Sequence, residues 1–151
     1  MQKLRSAAIE IEKRAIAGNY KRDRYAPDEI LTQHQSNFMG LVSEYAAHLY
    51  FEIDFDWEMI YIVGHSDLAN GHEVRSTTCP TGHLLTYDKD KLACYILAVV
   101  NLQQLSVDLK GWLHIDECRQ LKYWRDKPQV REASYWTPQS DLKPMLQLVT
   151  L

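Results

Sequence analysis

Residues 51–59, Phe-Glu-Ile-Asp-Phe-Asp-Trp-Glu-Met, alternate apolar and acidic side chains without a break. A period of two matches a β-strand, which sends successive side chains to opposite faces. One face of this strand is expected to be buried. The other carries Glu52, Asp54, Asp56 and Glu58 in a row. Same-face neighbours on a strand stand ~6.6 Å apart, so four like charges repel one another. A cation, a basic partner, flanking Lys and Arg, or water must offset them.

The chain has 151 residues, a length that fits one globular domain spanning 1–151. Apolar residues make up 46% and charged residues 25%, close to the globular average, so disorder of the whole chain is not expected. The longest apolar run, Leu92–Val100, is far shorter than the ~20 residues that span a bilayer. The first residues, Met1-Gln2-Lys3-Leu4-Arg5-Ser6, lack the apolar stretch of a signal peptide. Three cysteines in mixed contexts do not suggest a disulfide framework, and the expected setting is the reduced cytoplasm.

The net charge of −3 conceals a segregation. Residues 1–26 hold seven basic and three acidic side chains, residues 27–118 four and fourteen, and residues 119–151 six and three. The acidic centre can be neutralised by the basic ends folding back, or it can present a negative field to a partner.

Helical spacing of Leu4, Ala8, Ile11 and Ala15 predicts a helix over 3–17, stopped at Gly18. Pro27 opens a second helix running to about Tyr50, with the stripe Ile30, His34, Phe38, Leu41, Tyr45 and Leu49. The acidic strand then continues through Ile60–Val63. Two strands, Glu73–Thr78 and His83–Asp88, flank Cys79-Pro80-Thr81-Gly82, which suits a hairpin turn. Leu92–Leu105, apolar all round at its start and containing alanines, is expected to be a central buried helix. A further helix is expected over 115–126, ended by Pro128. The tail 129–151 reads as loop with a short final element near Met145–Val149. The expected fold is α+β: N-terminal helices and a small, mainly antiparallel sheet packed on the central helix.

Three groups of residues could carry function. In the first, the carboxylate row, Asp54 and Asp56 converge on one side of a strand and could hold a hard divalent cation for phosphoryl or nucleotidyl transfer or hydrolysis. Asp54-x-Asp56, followed by Thr81-Gly82-His83 and Asp116, resembles over a few residues the archaeo-eukaryotic primase pattern of an Asp-x-Asp strand, a small-x-His motif and a later Asp. That resemblance would imply a metal-dependent nucleotidyl transferase. The row could instead mimic nucleic-acid phosphates and occupy a basic groove on another protein, as inhibitors and immunity proteins do. It could also be a solvated strand face.

The second group is Cys79 with His83 and His114 with Cys118, a tetrahedral zinc set if the two pairs meet. The third is the basic and aromatic sequence Arg119, Lys122, Tyr123, Trp124, Arg125, Lys127, Arg131, Tyr135 and Trp136. It suits a protein interface anchored by Arg125 and Trp136, a nucleic-acid surface, or core aromatics among solvated charges. No phosphate-binding glycine loop or nucleophile elbow is present, and no cofactor is indicated. The sequence therefore points to a small binding protein of the inhibitor, adaptor or immunity type. Its expected partner is a protein, such as a basic nucleic-acid-binding one, with direct nucleic-acid binding second and no membrane role. The alternative is a metal-dependent enzyme using Asp54 and Asp56.

Overall fold

The computed structural model describes residues 33–57, 66–104, 106–126 and 133–148. The helix expected over 3–17, the start of the second helix, Glu58 and the Ile60–Val63 continuation lie outside these residues. Helix α1 spans Gln33–Tyr50. Its buried face is Leu41, Val42, Ser43, Ala47 and His48, whereas Leu49 is 62% exposed. The apolar stripe is thus rotated from the expected one at its C-terminal end, where small Ala47 lets the helix approach the core.

The helix ends in a Schellman turn. The Ile53 N–H donates to the His48 carbonyl at 3.0 Å and the Glu52 N–H to Leu49 at 3.3 Å. Glu52 takes the left-handed position, with φ 55°, that glycine normally fills. A side chain there costs about 1–2 kcal/mol.

The remaining elements follow in chain order: β1 (Glu73–Thr77), β2 (Leu84–Thr86), β3 (Cys94–Asn101), β4 (Ser106–His114), the short helix α2 (Ile115–Cys118), β5 (Trp124–Arg125) and β6 (Ser134–Thr137). One mixed sheet has the order β1-β3-β4, with β1 parallel to β3 and β4 antiparallel to it. A second, antiparallel sheet has the order β2-β6-β5. The fold is α+β, with one main helix among the described residues.

The apolar run near 92–100 is not a central helix. It is β3, the middle strand of the mixed sheet. Tyr95 and Leu97 face a cluster with Leu84, Leu113, Ile115 and Cys118. Ile96 faces the other way, onto Ala47, Leu68, Trp112, Met145 and Leu148. A strand covered on both faces is apolar at every position, so its period of two disappears.

Other expectations change with it. The strands near 73–77 and 84–86 are present but form no hairpin. β1 pairs with β3 and β2 with β6, so the Cys79–Gly82 turn passes the chain from one sheet to the other. The helix expected over 115–126 stops at Cys118. A 3₁₀ turn, Leu121–Tyr123, follows, and Trp124 then pairs with Tyr135 across β5 and β6. The tail contains strand β6 where loop was expected, while the short final element is a 3₁₀ turn at Met145–Gln147.

That tail crosses the mixed sheet at Gly111. Trp112 and Lys143 exchange two backbone hydrogen bonds of 3.0 Å, and the Trp112 indole donates to the Pro144 carbonyl. Gly111 has φ 149°, and a Cβ there would meet the Lys143 carbonyl oxygen at 2.6 Å. Only glycine permits both the backbone angle and the crossing. No helix among the described residues is long and apolar enough to cross a membrane.

Candidate functional site

The alternating segment keeps its two faces without joining either sheet. Residues 53–56 have no regular secondary structure, yet Phe51, Ile53, Phe55 and Trp57 are half-buried while Glu52, Asp54 and Asp56 are exposed. The Schellman turn fixes where the segment leaves α1. From there its aromatic side packs back on the helix. Phe55 stands 5.3 Å edge-on to Tyr45 and 4.8 Å from Trp57 between ring centres, and meets the His48 ring at 4.9 Å. These rings extend the cluster around Leu41 and Val42. Sequence reasoning placed the acids on a ladder strand. Instead the alternation arises from aromatic packing against a helix, which imposes the same period.

Beside the row lies an open cleft of about 340 Å³, lined by Tyr45, His48, Leu49, Ile53, Asp54, Phe55 and Trp57. That volume is at the small end for a binding pocket and suits one side chain rather than a large ligand. Exposed Leu49 and Tyr50 extend the apolar surface along the last turn of α1. The result is a trough of mixed character, with aromatic rings beside polar edges and the Asp54 carboxylate at its rim.

Behind it lies a cluster absent from the sequence reading: Glu44 of α1, Asp67, Glu73 and Arg75 of β1, Asp90 and Lys91. Asp67 accepts the Val74 N–H at 2.8 Å. The Arg75 guanidinium lies 2.9 Å from Asp90, and Lys91 Nζ lies 2.7 Å from Glu73. Four carboxyls thus share two cations. Burial, then the Asp67 and Glu73 charges, push the Glu44 carboxyl up to about 8. Burial and Glu73 likewise raise Asp67 to about 6. Burial works against the Arg75 charge, but Asp90 outweighs it and strengthens the guanidinium's hold on its proton. The usable signal in the sequence was an acid at Glu44, three positions after Leu41 and four before His48, on the face that turns inward.

The Cys/His pairs lie apart from this region. Cys118 is fully buried, among Leu84, Leu113 and Ile115. Burial raises its thiol to about 11. Cys79 is exposed, His83 packs 5.7 Å from the Trp136 ring, and His114 caps α2. Among the described residues no three His, Cys, Asp or Glu side chains gather where they could hold a metal ion.

The basic and aromatic stretch is largely committed to contacts within the chain. Arg119 donates to the Asp88 and Asp90 carbonyls, and Arg125 to those of Lys122 and Trp124. Asp141 accepts the Tyr123 hydroxyl at 2.6 Å and also faces Lys122; the Tyr123 bond is the main cause of its lowered pKa. Trp136 is half-buried, with its indole N–H donating to Ser134 Oγ at 2.9 Å. Lys127 and Arg131 lie outside the described residues.

Compared with known protein families, curated proteins and solved structures, the chain matches none.

Proposed function

We propose that this protein binds another protein through the face formed by Glu52, Asp54, Asp56 and the adjoining aromatic trough. The fitting partner is a basic segment that interleaves Lys or Arg with apolar side chains, as in the groove of a nucleic-acid-binding protein. The observation that carries this reading is the alternation in exposure along 51–57: acids outward, aromatic rings inward, beside a cleft sized for one side chain. Exposed carboxylates steer a basic partner at long range, and a guanidinium entering the trough meets both Asp54 and ring faces. The acidic balance of residues 27–118 adds to that field. The basic stretch near Arg125 and Trp136 favours this reading less, since Arg119, Arg125 and the Trp136 indole, among the described residues, donate within the chain. The metal-dependent enzyme reading, with Asp54, Asp56, His83 or Asp116, gains no support from the described residues, which offer no third ligand beside the Asp pair.

The test is a double variant, Asp54→Asn with Asp56→Asn, titrated with a synthetic peptide of alternating Arg and Leu. The variant should fold normally and lose about tenfold in affinity at low salt, together with much of the salt dependence. Undiminished affinity at low salt removes this face as the docking site.

A further inference from the structure

Three aromatic rings stand around the cleft beside the acidic row. Phe55 meets Tyr45 edge-on at 5.3 Å and 83°, and meets Trp57 at 4.8 Å and 71°. Tyr45 and Trp57 lie 6.1 Å apart, tilted by 37°. Rings at such angles share no plane, so they wall the cleft of about 340 Å³ instead of paving it. They are set in place before any ligand arrives. The bond from the Ile53 N–H to the His48 carbonyl anchors the segment, and Phe55 packs on Tyr45 and on the His48 ring. A preformed site of this kind loses little freedom on binding.

The face of an aromatic ring is electrically negative and attracts cations. Glu52, Asp54 and Asp56 stand exposed along the same segment, so the field around the cleft also favours a cation. Hydrogen bonding then separates one cation from another. A lysine ammonium brings three N–H donors and an arginine guanidinium five, and each donor taken out of water needs an acceptor. The lining offers one carboxylate, Asp54. His48 also lines the cleft, but its ring nitrogens lie 3.1 and 3.0 Å from the Asp54 and Asp67 carbonyls and are turned to the protein. A trimethylated ammonium keeps its charge, has no N–H to satisfy, and offers methyl groups to the rings.

We infer that the cleft between α1 and residues 53–57 is an aromatic cage for a quaternary ammonium, and that the group it takes from a partner is a trimethylated lysine side chain. As a mark on the partner this rests on the docking reading above; as an ammonium site it does not. The docking face attracts any basic segment, and the cleft selects among cations. The choline of a lipid headgroup carries the same cation, but its phosphate would lie against Glu52, Asp54 and Asp56, and like charges brought together at an interface oppose binding.

The deciding measurement is a ligand series on ¹⁵N-labelled full-length protein, followed by the Trp57 indole signal, assigned by its loss in Trp57→Phe, and by the amides of Ile53–Trp57. The probes are N-acetyl-trimethyllysine amide, its unmethylated parent, the neutral isostere with carbon in place of the quaternary nitrogen, and glycerophosphocholine. The trimethylated probe should bind about tenfold tighter than each of the others and shift those signals. Equal binding by the lysine parent or the neutral isostere overturns the cage, as does binding that leaves the Trp57 signals unmoved. Tighter binding of glycerophosphocholine refutes the assignment to lysine. The Arg/Leu peptide, made with one lysine or one trimethyllysine at its centre, separates the two ideas. If the small ammonium binds and neither peptide does, the cage stands and the docking reading falls. If both peptides bind equally and the small ammonium does not bind, the docking reading stands and the cage falls. If the small ammonium binds and the two peptides still bind equally, the cage is refuted as a reader of the partner.

Discussion

Replacing Glu44 with Gln should stabilise the protein, and only on the alkaline side. The native carboxyl holds its proton up to about 8, against an ordinary value of 4.5. Below pH 4.5 both the folded and unfolded forms carry that proton, and the group contributes nothing to the pH dependence. Between those values the unfolded chain ionises while the native state does not, so stability falls as pH rises. Above pH 8 the loss is complete. Its ceiling is about 5 kcal/mol, at about 1.4 kcal/mol per pH unit. Glu44 shares its protons with Asp67, and the local structure can relax, so about 2 kcal/mol is the expected net effect. Gln keeps the shape of the protonated acid and cannot ionise. At pH 8.5 Glu44→Gln should therefore melt roughly 5 °C higher than the parent, a gap that closes near pH 4. Thermal and urea unfolding across this range provide the assay. A variant equal to or weaker than the parent at pH 8.5, or a parent whose stability is flat from pH 5 to pH 8.5, would refute the argument.

Three other outcomes follow from the geometry. Glu52→Gly should raise unfolding stability by roughly 0.5–1 kcal/mol, because glycine accepts the left-handed turn that ends α1; a loss on urea unfolding would contradict the assigned turn. Gly111→Ala should cost about 3 kcal/mol through backbone strain and collision with the Lys143 carbonyl, and its denaturation midpoint should fall accordingly. Under native conditions a thiol reagent should modify exposed Cys79 first, half-buried Cys94 slowly, and Cys118 only on unfolding; early labelling of Cys118 in a mass-resolved time course would show that its site is open.

What the sequence conveyed depended on how many faces each element buries. The period of two over 51–57 was legible because one side of that segment is wet, although the packing behind it is a helix rather than a sheet. β1 and β2 were found close to their limits because turn residues bound them at Gly71 and Cys79–Gly82. β3 was misread because burial on both faces erases periodicity, and Ala93 and Ala98 then argue for helix. Pairing was not legible at all: adjacency in sequence favoured a hairpin between β1 and β2, but each found a distant partner. The 115–126 segment has helical spacing, yet Tyr123 bonds Asp141 and Trp124 pairs with Tyr135, contacts a continuous helix would not make. Glu44 was hidden for a related reason. An acid on a helix reads as solvated unless the burial of its neighbours is known.

The tail's crossing at Gly111 also sets an order for chain folding. One of the three core clusters joins Ala47 and Ile96 to Met145 and Leu148. A nascent chain can close the β3–β4 hairpin soon after residue 114 emerges, since its partners are neighbours in sequence. It cannot cover Trp112 until residues 143–148 have left the ribosome. During that interval Ile96 and Trp112 have Ala47 and Leu68 beside them but lack the cover of Met145 and Leu148. Synthesis that stalls between residues 115 and 142 would therefore leave that face of β3 and β4 partly uncovered, the kind of surface on which incomplete chains associate.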